Sequence, residues 1–408
     1  MKKLSFVLAI IFILSSVSFT VCASPAKGDA DGDGEVTFED YIRIRLAADG
    51  KAALDSSSAA ASDIDGNGKT DANDCCAVKN NVLFGTPLKI SSGLLFKSDG
   101  SGSCVVSGIG SCRDREIVIP SVSPNGDAVT GIADQAFINN KTVVSVTVPF
   151  GVTSIGVGAF AYCTALNSVT LPGTVVSVFD MAFYNTALYN NKSNWKDGIL
   201  YIGNQLIKAE KTISGALSVR ESTVCIADSA FDGCAGLESV SVPVSVTALG
   251  LKTFYDCTSL KSVAIPASVT KIGDFAFYGC VELTDITVPE NTEYIGEFAF
   301  YYCMKLPGLS LPASVRTIGS GAFEGCKGFT AFTVPEKVTS INYMTFYECE
   351  NLKSVSIPAG VRIIGNEAFY NCRALTDVYF AGSSSDWKAV TVGSTNDFLT
   401  DAAIHCKG

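Results

Sequence analysis

Two segments have the residue types and spacing to hold a hard cation. Residues 29–40 read DADGDGEVTFED and residues 63–74 read DIDGNGKTDAND, thirty-four positions apart. Each places oxygen-bearing side chains at loop positions 1, 3, 5, 9 and 12. These are Asp29, Asp31, Asp33, Thr37 and Asp40 in the first loop, and Asp63, Asp65, Asn67, Asp71 and Asp74 in the second. Gly34 and Gly68 occupy position 6, where the loop turns sharply, and Glu35 and Lys69 offer backbone carbonyls at position 7. Calcium takes about 6–8 oxygens, and this spacing converges them on one point. The pattern predicts two Ca2+ ions. Without a cation, so many carboxylates in one loop repel one another.

Other site chemistry has little to work with. The chain has one histidine, His405, which makes a histidine-based zinc site improbable and leaves a Ser-His-Asp triad only a tail residue. Acids outnumber bases 40 to 30, a net charge of −10, which argues against a nucleic-acid partner.

Each acidic loop runs into an apolar-periodic helix, about 40–48 (Tyr41, Ile42, Ile44, Leu46) and about 74–84 (Cys75, Val78, Val82, Leu83). An isolated Asp/Gly turn would be a solvated loop; two in register, each followed by a helix, are not. The segment 27–85 resembles a type I dockerin, a small α domain of two F-hand-like loop-helix units without an incoming helix. The resemblance implies calcium-dependent binding to a scaffoldin cohesin and assembly into a cellulosome. It also implies recognition residues at loop positions 10 and 11, here Phe38 and Glu39 in the first unit and Ala72 and Asn73 in the second. The pairs differ chemically, so one binding orientation should dominate. Phe38-Glu39 departs from the hydroxyl pair common in the family, which leaves the cohesin type open. Arg43 and Arg45 are either rim contacts or a solvated helix face.

The rest of the chain keeps a 23-residue period. Phenylalanine recurs at Phe137, Phe160 and Phe183, then from Phe231 through Phe254, Phe277, Phe300, Phe323 and Phe346 to Phe369. Cysteine follows three places later in eight of these units, and proline twelve places later in eight. Such a period marks a solenoid whose coils cover one another's apolar edges. In the unit around Phe277, Leu260, Val263 and Ile265 alternate inward, Pro266 ends the strand for lack of an N–H, and Gly273 is expected to permit a tight bend. About eleven coils at strand spacing give a body roughly 50 Å long. Register breaks between Phe183 and Phe231, and residues 195–208 read as a β-hairpin replacing an ordinary coil.

This repeat resembles the BspA-type leucine-rich repeat, a β-rich family that implies binding and adhesion rather than a catalytic centre. The expected organisation is a signal peptide at 1–23, a dockerin at 24–86, an N-terminal cap hairpin at 87–120, repeats at 121–380 with a hairpin insertion near 189–212, and a C-terminal cap at 381–408. Lys2 and Lys3 before the apolar run 4–14, with cleavage after Ala23, predict secretion. Cys22 could instead be acylated, but Val21 is bulky for that. No other run is long enough to span a membrane.

Three side-chain sets remain. The repeat cysteines occupy one position per coil, so they are expected as buried free thiols; Cys104 and Cys112 are the best disulfide candidates. Tyrosine follows the ladder phenylalanine at Tyr184, Tyr255, Tyr278, Tyr301, Tyr347 and Tyr370, a stripe that either contacts a ligand or simply covers the coil edge. The outward strand positions are mostly serine and threonine. Their two carboxylates, Asp285 and Asp377, lie four coils apart, too far for a glycosidase pair. The expected function is a secreted, extracellular, non-catalytic cellulosome component whose solenoid binds a protein or a plant-wall polysaccharide. The alternatives are an inhibitor of cellulosomal enzymes and, less favoured, a polysaccharide-degrading enzyme.

Overall fold

The computed structural model describes residues 27–30, 35–54, 56–64, 69–70, 74–75, 78, 82 and 90–407. The expected signal peptide, 1–23, lies outside them.

Residues 95–407 wind into a β-solenoid of about 13 turns with two rows of short parallel strands. One row carries the L-x-x-V segment. There Ser239 pairs with Ser262 and Ser262 with Asp285, each exactly one repeat on in sequence. The second row carries the V-x-x-I segment, where Lys271 pairs with Tyr294 and Tyr294 with Thr317. The body has two turns more than the ladder predicts because flanking strands join the rows without a ladder phenylalanine. Ser103–Gly108 pairs in parallel with Ala128–Ile132 at one end, and Ala403–Cys406 with Asp377–Phe380 at the other.

Inside, the ladder phenylalanines stack ring on ring. Phe277 lies 5.3 Å from Phe254 and 5.2 Å from Phe300, nearly parallel to both. Stacking needs the chain to turn tightly around each ring, and it does so with left-handed residues two places before and two places after. Phe275 has φ 57° and Gly279 φ 71°; Phe298 has φ 51° and Tyr302 φ 53°. Non-glycine residues tolerate this strained region only where the surroundings fix it. Here the amides of Phe275, Phe277 and Gly279 donate to the carbonyls of Glu297, Ala299 and Tyr301 in the next coil at 2.7–2.8 Å. Gly273 plays a different part from the expected bend: its φ is not positive, and a Cβ there would sit 2.6 Å from the Gly250 backbone. Glycine recurs at this place because neighbouring coils touch through it.

The cysteine row faces the same interior. Cys280 Sγ donates to the Phe254 carbonyl at 3.1 Å, and the thiols of Cys163, Cys257, Cys303, Cys326, Cys349 and Cys372 do the same, each to the phenylalanine carbonyl 26 residues back. Burial pushes these thiols up, Cys163 to about 11 and Cys372 to about 12. Cys104 and Cys112 are both buried and both free, so the candidate disulfide is not formed.

The ladder breaks where Ile199–Ile202 and Gln205–Ala209 form an antiparallel hairpin, the second strand of which pairs in parallel with Cys225–Ile226. The hydrophobic core divides there. Buried residues from Leu94 to Ala227 form one cluster, with Trp195 packed against it; those from Ile199 to Leu399 form another, with Trp387 against it.

Candidate functional site

In the acidic segment the position-12 carboxylates are fully buried and act as struts. Asp40 Oδ1 accepts the Ala30 amide at 2.7 Å, and its Oδ2 accepts the Thr37 amide at 2.7 Å and the Thr37 hydroxyl at 3.2 Å. Asp74 Oδ1 accepts the Ile64 amide at 2.7 Å, the same ten-residue reach in the second loop. Thr37 also caps the helix Phe38–Ala48, accepting from the Glu39 amide. Asp29 is buried beside this frame. Lys27 donates to the carbonyls of Asp63 and Ile64 at 3.1 and 2.9 Å, tying the start of the segment to the second loop. The described donors are all hard oxygens, and three of them, Asp29, Asp40 and Asp74, are buried carboxylates, which fits calcium. Asp31, Asp33, Asp65, Asn67 and Asp71 lie outside the described residues, as do Ala72 and Asn73.

A short helix, Ser56–Ser62, connects the first unit to Asp63. Its sequence SSSAAAS has no apolar stripe to reveal it. The helix Phe38–Ala48 also packs differently from its apolar pattern. It buries Ile44 against Ala30, Ile64, Cys75 and Val78, while Ile42 and Leu46 stay 41% and 39% exposed. Phe38, Ile42 and Leu46 are spaced by four and share one face, next to exposed Glu39 and Arg45. Arg45 pairs with Asp49 at 3.3 Å, and Arg43 is exposed. The sequence pattern groups Tyr41, Ile42, Ile44 and Leu46 as apolar-periodic without dividing them between faces. An 11-residue helix cannot bury both the Tyr41/Ile44 side and the Ile42/Leu46 side of so small a domain.

On the solenoid the tyrosines do not form one stripe. Tyr255, Tyr278 and Tyr301 stack face to face at 4.6 and 4.2 Å, and Tyr347 stacks on Tyr370 at 4.9 Å. Tyr184 instead meets Tyr162 and Tyr189 edge-on, and Tyr189 meets Trp195 the same way. The hydroxyl-bearing strand face carries shallow grooves, one lined by Ser218, Ser239, Ser241, Ser262, Asp285 and Thr287. His405 sits 2.7 Å from Asp377 and stacks on Tyr379. Ser356, Tyr379 and His405 are in register on adjacent strands, so Tyr379 separates the serine from the histidine by two strand spacings, about 9.6 Å. No hydrolytic triad is assembled there.

The molecule is therefore a two-part chain: an oxygen-loop module followed by a stacked repeat whose surfaces offer contacts. The model of the BspA type leucine rich repeat region matches residues 130–216, 210–328 and 293–391, and the chain belongs to that family. The dockerin type I domain model matches residues 27–83, so the chain carries a dockerin. Both domain types are non-catalytic, and type I dockerins typically bind calcium. Among solved structures, the chain is similar to a leucine rich repeat protein of T. pallidum, at 30% identity over 42% of this chain and 82% of that one with a TM-score of 0.39. It is also similar to a leucine rich cell surface protein of Faecalibacterium prausnitzii (20% identity, 74% and 96% coverage, TM-score 0.36) and a leucine-rich repeat protein of Bacteroides ovatus (20%, 78% and 99%, TM-score 0.30). Comparison with curated proteins returned no match. Among the described residues no helix is long and apolar enough to cross a membrane.

Proposed function

We propose that this chain is a secreted, non-catalytic cellulosome component, held by calcium-dependent docking to a scaffoldin cohesin while the solenoid contacts a second partner. The observation that carries the reading is the pair of equivalent struts, Asp40 to Ala30 and Asp74 to Ile64, in two oxygen-rich loops of identical spacing. In this reading each loop takes one Ca2+. The ion holds together carboxylates that would otherwise repel, and so fixes the helix Phe38–Ala48 with Phe38, Ile42 and Leu46 outward. Those three residues with Glu39, Arg43 and Arg45 make the cohesin-facing surface of the first unit; Ala72 and Asn73 belong to that of the second.

For the solenoid a protein partner is favoured over a polysaccharide on the stretch 255–370. Sugars stack on open ring faces, and there the tyrosines cover one another's faces. The edge-on group Tyr162, Tyr184, Tyr189 and Trp195 keeps the polysaccharide reading alive for the first stretch.

The test is cohesin binding measured by calorimetry in calcium. The double variant Asp29→Ala with Asp63→Ala should bind no cohesin and should match wild type in EDTA; undiminished binding would remove the calcium assignment. Exchanging Phe38 and Glu39 should change cohesin preference more than exchanging Ala72 and Asn73, and equal effects would point to two binding orientations.

A further inference from the structure

On the first strand row, the outward residue two places before each strand-ending proline is a hydroxyl or an alanine from Thr147 to Ser356. The next two coils break that pattern with Tyr379 and His405. Backbone pairing sets Thr333, Ser356, Tyr379 and His405 side by side in one row, each about 4.8 Å from the next. Two small side chains therefore meet two rings, and the flat face ends in a wall. His405 stacks on Tyr379 with ring centroids 4.8 Å apart and planes 18° from parallel. Its Nε2 lies 2.7 Å from Asp377 Oδ1, which holds the imidazole in place. One face of Tyr379 is thus covered by His405, and the other looks along the row over Ser356. At the foot of the wall lies a cavity of about 360 Å3, lined by Thr333, Ser356, Pro358 and Tyr379, and by Glu336 and Lys407. That volume falls at the lower end of small-molecule sites, about 300–1,000 Å3. Tyr379 is 48% exposed. The coil stack does not need a ring there: a serine or threonine would continue the row.

We propose that this cavity binds a neutral sugar ring of a polysaccharide, its apolar C–H face against Tyr379 and its hydroxyls on Ser356 and Thr333. A pyranose is apolar on its faces and hydroxylated round its rim, which matches an aromatic wall meeting a hydroxyl floor. Glu336 and Lys407 carry opposite charges, so the lining favours neither a cation nor an anion. An aromatic side chain of a protein would use the wall and leave the floor hydroxyls unmatched. The site lies on the strand face, apart from the tyrosine stacks at the coil corners and from the edge-on rings around Tyr184. The proposal rests on the reading of the solenoid as a contact surface and names the ligand class of one place on it.

The experiment is isothermal titration calorimetry of the full chain in calcium with neutral hexasaccharides of β-1,4-linked glucose, xylose or mannose. At least one should bind wild type. Tyr379→Ala should weaken that binding about tenfold or more, and Tyr379→Phe should keep it within about twofold, because the ring face makes the contact. Ser356→Leu fills the floor from an outward position and should abolish binding with the ring intact. It decides the matter if Tyr379→Ala fails to fold, which circular dichroism checks. Tyr278→Ala, at a stacked corner ring, should change binding less than about twofold. Equal weakening by Tyr379→Ala and Tyr278→Ala, binding that survives Ser356→Leu, or no binding of any of the sugars would overturn the site. So would a wild type that ignores the sugars but binds the tripeptide Gly-Tyr-Gly through Tyr379, which would make the wall a protein contact. None of these results touches cohesin docking or contacts elsewhere on the solenoid, so the wider reading stands or falls separately.

Discussion

From Phe137 to Phe183 and from Phe231 to Phe369 the ladder rings stack alike, 5.0–5.4 Å apart in the first stretch and 5.1–5.8 Å in the second. The aromatic residues beside them do not. In the second stretch tyrosines occupy the same place in consecutive coils and close face to face. In the first, that place reads Ile138, Ala161, Tyr184, and the nearby rings meet edge-on. Exposed apolar side chains gather there too, among them Val157, Phe179, Met181 and Tyr184. Both stretches have the same core; what differs is whether a surface aromatic finds a copy of itself one coil away. Repetition satisfies a ring's faces internally, and irregularity leaves them for a partner. The hairpin at 199–209 divides the two, and with them the hydrophobic core.

The sharpest way to break the comparison is to ask whether the halves unfold separately. Trp195 reports on the first cluster and Trp387 on the second, so Trp387→Phe and Trp195→Phe each leave one reporter. Phe277→Ala removes a ring stacked on both sides and should cost about 3–5 kcal/mol. In urea it should shift the Trp387 transition far more than the Trp195 transition, as nearest-neighbour coupling predicts. Coincident shifts would mean that the hairpin transmits the stack rather than dividing it.

The junction has its own pH signature. Asp228 sits at the hairpin, lining a cavity of about 60 Å3 with Phe179, Met181, Tyr184 and Lys208. Burial, reinforced by Asp180, pushes its carboxyl up to about 6 although it accepts the Leu251 amide at 2.8 Å. An acid whose pKa is higher in the folded chain binds a proton there more readily than when unfolded. Folding therefore loses stability as pH rises from about 4 through about 6, on the order of 1–3 kcal/mol. Asp228→Asn should flatten this loss in the Trp195 transition and leave the Trp387 transition nearly unchanged.

Much of the solenoid was legible because its period is strict. Phenylalanine, cysteine and proline at fixed offsets impose one corner, one buried thiol row and one strand end per coil. The left-handed residues on either side of each phenylalanine were not legible, because Gln135, Lys252, Phe275 and Glu367 carry no glycine-like signal and are held there by hydrogen bonds to the next coil. Nor could the tyrosine stripe be told from two stacks without ring orientations. In the dockerin, the loop spacing was plain in the sequence. The short helix Ser56–Ser62 and the outward turn of Ile42 and Leu46 were hidden, because both depend on what a very small core can accommodate.

The smallest expected effect separates the surfaces most cleanly. Tyr278→Ala removes a ring stacked at 4.6 Å on Tyr255 and at 4.2 Å on Tyr301, so it should destabilise the second stretch by about 1 kcal/mol. Tyr184→Ala removes a ring that is 41% exposed and meets its neighbours only by edges, and should cost about half as much. For ligand retention the order should reverse. If the open rings contact a partner, plant-wall glycans or a protein should be held less well by Tyr184→Ala than by Tyr278→Ala, measured on the intact chain by affinity electrophoresis. The reversal is the informative part, because a ring that serves only the fold loses stability and binding together, whereas a ring left open loses binding first.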